Sequence, residues 1–232
     1  MRSLLLFLGC VLGIVGAKPL IAADCLTLSF LGAGFTSEDD KQRFERIFQN
    51  DGICVKVIRM PNERAKAALL SGEIDGEVGR SEGYEAVVSP TAIRVPAVLM
   101  EVDLFLLTKD PNINAVSDVK SGEIGYIRGF KTHEDALTTL GISGIAVDSF
   151  DALYRLMNAG RVKAIPVDSI AIEMMQAHAS GMKTFPLTRF ATYVYVHSRH
   201  ARLVPQMTEI IQNHIATGND FIPGGTKKAV TP

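Results

Sequence analysis

Residues 61 to 80 read PNERAKAALLSGEIDGEVGR, and they set the frame for the rest of the chain. Ala65, Ala68, Leu69 and Ile74 recur at near-helical spacing, which predicts a short helix with one apolar face. Asn62 is placed to cap its start, and Glu63 stands in the first turn beside the positive end of the helix. Ser71-Gly72 ends it, because Gly accepts the left-handed conformation that a helix stop needs. Ile74 to Val78 then reads as a strand, with Gly79-Arg80 where it would leave its sheet. Open α/β sheets bind ligands outside the carboxyl ends of their strands. Arg80 is therefore the first residue expected to meet a ligand, holding a carboxylate through paired N–H donors. The alternative is a surface Arg paired with Glu82.

The flanking segments extend this alternation. Leu26 to Phe30 is apolar and β-prone. Gly32-x-Gly34 follows it, and then a helix from Ser37 to Asn50 with Glu38, Asp39 and Asp40 in its first turn. A dinucleotide loop is rejected, since position 37 carries Ser and not a third Gly. Cys54 to Met60 is the second strand. A β-α-β-α-β start of this kind implies a parallel sheet covered by helices. Val102 to Thr108 is a further, nearly continuous apolar strand.

Lys109-Asp110-Pro111-Asn112 is the clearest break, and a second β-α series follows. Its strands are Glu123 to Ile127, Ile145 to Val147 and Ala164 to Val167. Its helices are capped by Thr132, by Ser149 or Asp148, and by Asp168 or Ser169. Thr184 to Pro186 reads as a short crossover and Arg189 to Val196 as a separate strand. A long helix, Ala201 to Ala216, carries the stripe Leu203, Met207, Ile210, Ile211 and Ile215.

The 232-residue chain is 47% hydrophobic and 21% charged, with a formal net charge of −1 and no Trp. That balance argues against nucleic acid as the main partner, because phosphate binding needs clustered Lys and Arg. Residues 1–23 have the positive start and apolar core of a cleavable export signal. The expected location is the periplasm, with cleavage after Ala17 or Ala23; an uncleaved anchor is the alternative. Beyond that segment the cysteines are Cys25 and Cys54, each beginning a predicted strand. If those strands are parallel neighbours, the two lie at one edge of the sheet, and an oxidising compartment would join them. Two buried free thiols are the alternative.

Three segments in order carry a resemblance: Arg64 to Gly76, Gly122 to Gly129 (GEIGYIRG) and Ala159 to Asp168 (AGRVKAIPVD). Together they resemble the bacterial extracellular solute-binding proteins of family 3, the periplasmic binding proteins best known for polar amino acids. The resemblance spans about Leu26 to Gly218. It implies an α/β, two-lobed periplasmic-binding-protein type II fold, each lobe a mainly parallel sheet flanked by helices, joined by two crossover strands. Lobe 1 would take residues 24–108 and 188–218, lobe 2 would take 109–187, and 219–232 would be a flexible tail. A small polar solute, an amino acid or another carboxylate, would sit between the lobes. The family's Thr-x-x-Arg segment after the third strand is absent here, and Arg80 comes earlier.

Asp168 resembles the family residue that accepts an ammonium; a simple helix cap is the alternative, and it can be both. Arg128, Gly129 and Thr132 form a loop into a helix start, which is either an anion seat or a plain turn. Phe35 and Tyr84 either line the cleft or pack in the core. The scattered histidines lack metal-ligand spacing, so no metal and no cofactor is expected. The leading expectation is a monomeric, non-catalytic binding protein serving a membrane permease. A sensory protein of the same fold is one alternative. A dehydratase-like enzyme using Glu82, Glu101 or His133 is another.

Overall fold

The computed structural model describes residues 25–30, 38–174 and 181–221. The predicted export signal, the Gly32-x-Gly34 turn with Phe35, and the tail beyond 221 lie outside the described residues. The strands are β1 (Leu26–Phe30), β2 (Val55–Arg59), β3 (Gly76–Ser81), β4 (Ala92–Arg94), β5 (Met100–Thr108), β6 (Ile124–Ile127), β7 (Gly144–Val147), β8 (Ala164–Asp168) and β9 (Lys183–His197). The helices are α1 (Glu38–Asn50), α2 (Asn62–Ser71), α3 (Glu85–Val88), α4 (Lys131–Leu140), α5 (Phe150–Asn158), α6 (Ser169–Met174) and α7 (Val204–Ala216).

The strands pair in the order β2-β1-β3-β9-β5-β8-β6-β7, with β4 added along β9. In the first half β1 runs parallel to both β2 and β3. In the second half β6 runs parallel to both β7 and β8. Both halves obey the β-α alternation, since parallel neighbours need a crossover helix. The two long strands, β5 and β9, run antiparallel from Met100↔Thr192 to Thr108↔Lys183 and belong to both halves. The sequence suggested two pieces where β9 is one. The register slips between Leu104 and Phe105, leaving Leu187 as an extra residue next to Pro186. Such an irregularity is where a strand tolerates a proline, which has no N–H for the ladder.

Each half has its own core. In the first, Phe30, Phe44, Phe48, Val57, Val102, Val194, Met207 and Ile211 cluster with little or no exposure. Phe44 meets Phe48 at 4.8 Å between ring centroids. The stripe expected on α7 buries Met207, Ile210 and Ile211. In the second half, Leu107, Ile127, Leu153, Met157, Ile165 and Val167 form the cluster. The register Leu26↔Val55 puts the preceding residues side by side. Cys25 and Cys54 form a disulfide there, with Cα atoms 4.5 Å apart.

Two capping expectations need correction. Pro61, not Asn62, is the cap of α2; Asn62 is its first helical residue and makes no capping bond. The Pro61 carbonyl accepts the first helical bond, from the Ala65 N–H at 2.8 Å, a role that needs no N–H of its own. Phe130, not Thr132, precedes α4. Glu134 reaches back instead and accepts the Gly129 N–H at 3.0 Å. Other signals held. Gly72 stops α2 at φ 76°, donating to the Ala68 and Leu69 carbonyls. Ser149 Oγ accepts the Ala152 N–H at the start of α5.

Candidate functional site: the cleft between the halves

Arg80 lies inside β3, paired with Tyr193, where the sequence had placed it beyond the strand. Pairing continues because the register shifts at Gly79, whose φ is 81°. An extra residue of this kind is a β-bulge, and Gly supplies the left-handed conformation it needs. Arg80 is buried and donates from Nη2 to Glu77 Oε1 at 2.6 Å. Glu77 is itself fully buried, and its other oxygen accepts the Tyr84 hydroxyl. The guanidinium also lies over the Tyr84 ring at 4.8 Å. Glu82, the partner considered from sequence, pairs with Arg94.

This trio is electrostatically self-consistent. Burial pulls the Arg80 guanidinium down, but Glu77, with smaller contributions from Tyr84 and Glu63, offsets it and the net shift is upward. Burial pushes the Tyr84 phenol well above its usual value; Arg80 opposes that, and Glu77 adds to it. Arg80 therefore stays charged and Tyr84 stays a neutral donor. A guanidinium carries five N–H donors, so one bond to Glu77 does not exhaust it.

The start of α4 faces this trio across a narrow gap. Gly79, Arg80, Ser81, Tyr84 and, from β9, Phe190 on one side, with Phe130, Lys131 and Thr132 on the other, enclose about 20 Å³. That is room for one water-sized group. Outward from it, past Ser81, Thr132 and Phe190, opens a groove of about 470 Å³. Its walls carry Glu82 and Gly83 from the first half, Asp135 and Thr139 from α4, and Thr188 and Arg189 from β9. The groove has the size of a small-molecule site. Thr132 is 9% exposed, and its Oγ1 has no hydrogen-bond partner among the described residues. A buried hydroxyl without a partner costs free energy on the order of 1–3 kcal/mol. Beside it, the first turn of α4 leaves leading N–H groups without intrahelical acceptors.

The structure thus brings Arg80, Tyr84 and Thr132 together. Phe130, Lys131 and Phe190 join them, which sequence reading missed. Phe190 sat in a run legible only as strand, and Phe130 was read as part of a turn. Other predicted residues stand apart. Asp168 is 6% exposed at the end of β8, and its Oδ1 accepts the Ala171 N–H at 2.7 Å as the cap of α6. Burial raises its pKa to about 6, against two backbone N–H bonds that lower it. Arg128 is more than half exposed and pairs with Asp148 at 3.1 Å. Neither is among the residues lining the cleft. Gly129 forms the turn before α4 at φ 70°. Phe35 lies outside the described residues.

His133, one of the acid/base candidates named from sequence, is fully buried. Its Nδ1 accepts the Ile127 N–H at 3.3 Å, and the ring packs on Phe130 at 4.5 Å. Burial lowers its pKa to about 3, so the ring is neutral at ordinary pH. It braces the start of α4 from behind.

No protein-family model matches the chain, and no curated protein matches it. Solved structures do. The substrate-binding protein of an amino acid ABC transporter superposes with a TM-score of 0.69 at 15% identity, covering 84% of this chain and 94% of the other. An ABC uptake transporter substrate-binding protein from Streptococcus pneumoniae with bound histidine gives 0.70 at 16%, covering 84% and 88%. The GLUR0 ligand-binding core in complex with L-glutamate gives 0.70 at 14%, covering 84% and 94%. The chain has the two-lobed fold of the periplasmic binding proteins. Its two lobes are the two halves of the sheet, β5 and β9 are the crossovers between them, and the cleft is the space between the lobes.

Proposed function

We propose that this chain is a solute-binding protein that captures a small polar, carboxylate-bearing solute between its lobes for ABC-type uptake. The lobes would comprise residues 24–108 with 188–218, and residues 109–187. An exported, periplasmic protein serving a membrane permease fits the leader-like residues 1–23. The observation that carries the reading is the Thr132 hydroxyl. It is buried, has no partner among the described residues, and stands at a helix start facing a buried guanidinium. A carboxylate oxygen at the inner end of the cleft would accept from Thr132 Oγ1, from the leading N–H groups of α4 and from Arg80. The body of the solute would lie in the 470 Å³ groove. Tyr84 would hold Arg80 in place.

The similar solved structures are binding proteins, which supports binding over catalysis. Glu82, one of the acids considered for an enzyme, is spent on Arg94. A sensory role in the same fold is the second reading, compatible with the likeness to the GLUR0 ligand-binding core in complex with L-glutamate.

The test is a thermal-shift screen of the mature protein against amino acids, organic acids, amines and sugars. Ligand at a hundredfold excess over Kd stabilises a native protein by about 2.7 kcal/mol. Carboxylate-bearing compounds are expected to give the shift. Thr132→Val should then weaken binding roughly tenfold or more, the cost of about 1–3 kcal/mol for a lost buried hydrogen bond. A shift confined to neutral sugars, or an unchanged affinity in Thr132→Val, overturns this seat.

A further inference from the structure

Glu63 stands in the first turn of α2 in lobe 1, but its side chain rests on lobe 2. A Cβ built on Gly129 would stand 3.1 Å from Glu63 Cδ and 3.2 Å from its Cγ, with the Oε1 oxygen closer still. Position 129 thus needs glycine twice over, for its φ of 70° and for the space that Glu63 takes. The second carboxylate oxygen holds Lys66 at 2.6 Å, so the side chain is anchored on its own lobe. A reciprocal approach lies on the neighbouring part of the cleft. Gly83 of lobe 1 comes against α4, where a Cβ would meet Asp135 Oδ2 at 3.7 Å and Lys131 Cγ at 3.8 Å.

We propose that Glu63 is an inter-lobe latch that holds the empty cleft shut. One attraction acts on its carboxylate across the lobes in the closed arrangement. The turn at Gly129 leads into α4, so the positive end of that helix lies beside it. Swinging the lobes apart would carry the carboxylate away from the head of α4 into water. The closed state is then populated before any solute arrives, and a solute must select it or displace the latch.

The experiment is small-angle scattering of the mature protein with no solute present, on wild type, Glu63→Ala and Gly129→Ala. Glu63 is half-exposed, so its truncation leaves the fold intact, which thermal unfolding checks. The wild type is expected to scatter as the closed form, and Glu63→Ala to show a larger radius of gyration. Gly129→Ala removes the seat from the other side and should expand the molecule likewise. A wild type that is already expanded, or a Glu63→Ala protein with unchanged dimensions, overturns the latch. The readout contains no solute, so it is separate from the binding proposal. Expansion in Glu63→Ala with no binder found keeps the latch and removes the solute reading. Binding lost in Thr132→Val, with unchanged dimensions in Glu63→Ala, does the reverse.

Discussion

Glu77 and Arg80 stand three residues apart in one strand and nevertheless meet at 2.6 Å, both buried. Side chains of a regular strand alternate, so residues at that spacing point to opposite faces. The bulge at Gly79 inserts one residue into the count and returns Arg80 to the face of Glu77. One glycine therefore decides that the guanidinium at the cleft is paired and held rather than loose.

Removing half of that pair should be costly. Glu77→Gln leaves Arg80 without its counter-charge in a buried site, and breaking a buried pair costs about 3–5 kcal/mol. Denaturant unfolding should show a loss of that order. Adding Arg80→Met to Glu77→Gln should recover part of it, since apolar replacements of buried pairs are often tolerated. A Glu77→Gln protein as stable as wild type would mean that the trio is not a stability element.

Asp168 and His133 should pull the acid stability of the protein in opposite directions. The folded-state pKa of Asp168 is raised from 3.8 to about 6. Native protein then holds the extra proton between those values, and stability falls as pH rises through that window. Asp168→Asn keeps a capping side chain and removes the buried charge. It should stabilise the protein near pH 7.5 by up to roughly 3 kcal/mol, at 1.36 kcal/mol per pKa unit. The gain should vanish below pH 4. A loss of stability at pH 7.5 would show instead that the charge is used.

The folded-state pKa of His133 is depressed from 6.5 to about 3. Here the unfolded chain holds the extra proton, so stability is complete above pH 6.5 and is lost as pH falls toward 3. His133→Gln should flatten that limb of a stability-against-pH curve measured by urea unfolding. An unaltered acid limb in the variant would assign it to other groups.

The Cys25–Cys54 bridge closes a loop with a sequence separation of 29. Replacing both by Ser should cost about 3–4 kcal/mol on the chain-entropy scale. Thermal unfolding of the double variant, alongside the reduced wild type, checks this.

Much of the fold was legible because β-α alternation leaves so few topologies. The β1-β2 neighbourhood, the Gly72 stop, the Ser149 cap and the stripe on α7 each followed from local chemistry. So did the proximity of the two cysteines, once the strands were taken as parallel neighbours. The cleft was less legible, because its residues depend on phase and not on type. Arg80 was found as a residue but not as the partner of Glu77, since nothing in the letters announces that Gly79 is a bulge. The burial of His133 was not legible, because a lone His at a helix start is ordinarily solvated and Thr132 was read as the cap of α4. With Phe130 as the cap, the first turn shifts, and His133 falls on the buried side. Phe130 and Phe190 face the cleft through lobe-to-lobe approach, which is tertiary information.

The place of β9 in the sheet has a consequence for the order in which the protein can be built. It lies between β3 and β5, yet among the described strands it comes last in the chain. A nascent chain ending before Lys183 has β3 paired only with β1, and β5 without its longest partner. Each then shows an open edge of the kind that pairs with other chains. Neither lobe can finish independently of the other, because the strand that completes the first is also a wall of the second. Completion of both waits on the same fifteen-residue strand, so loss of the C-terminal part of the chain would cost the whole molecule rather than one lobe.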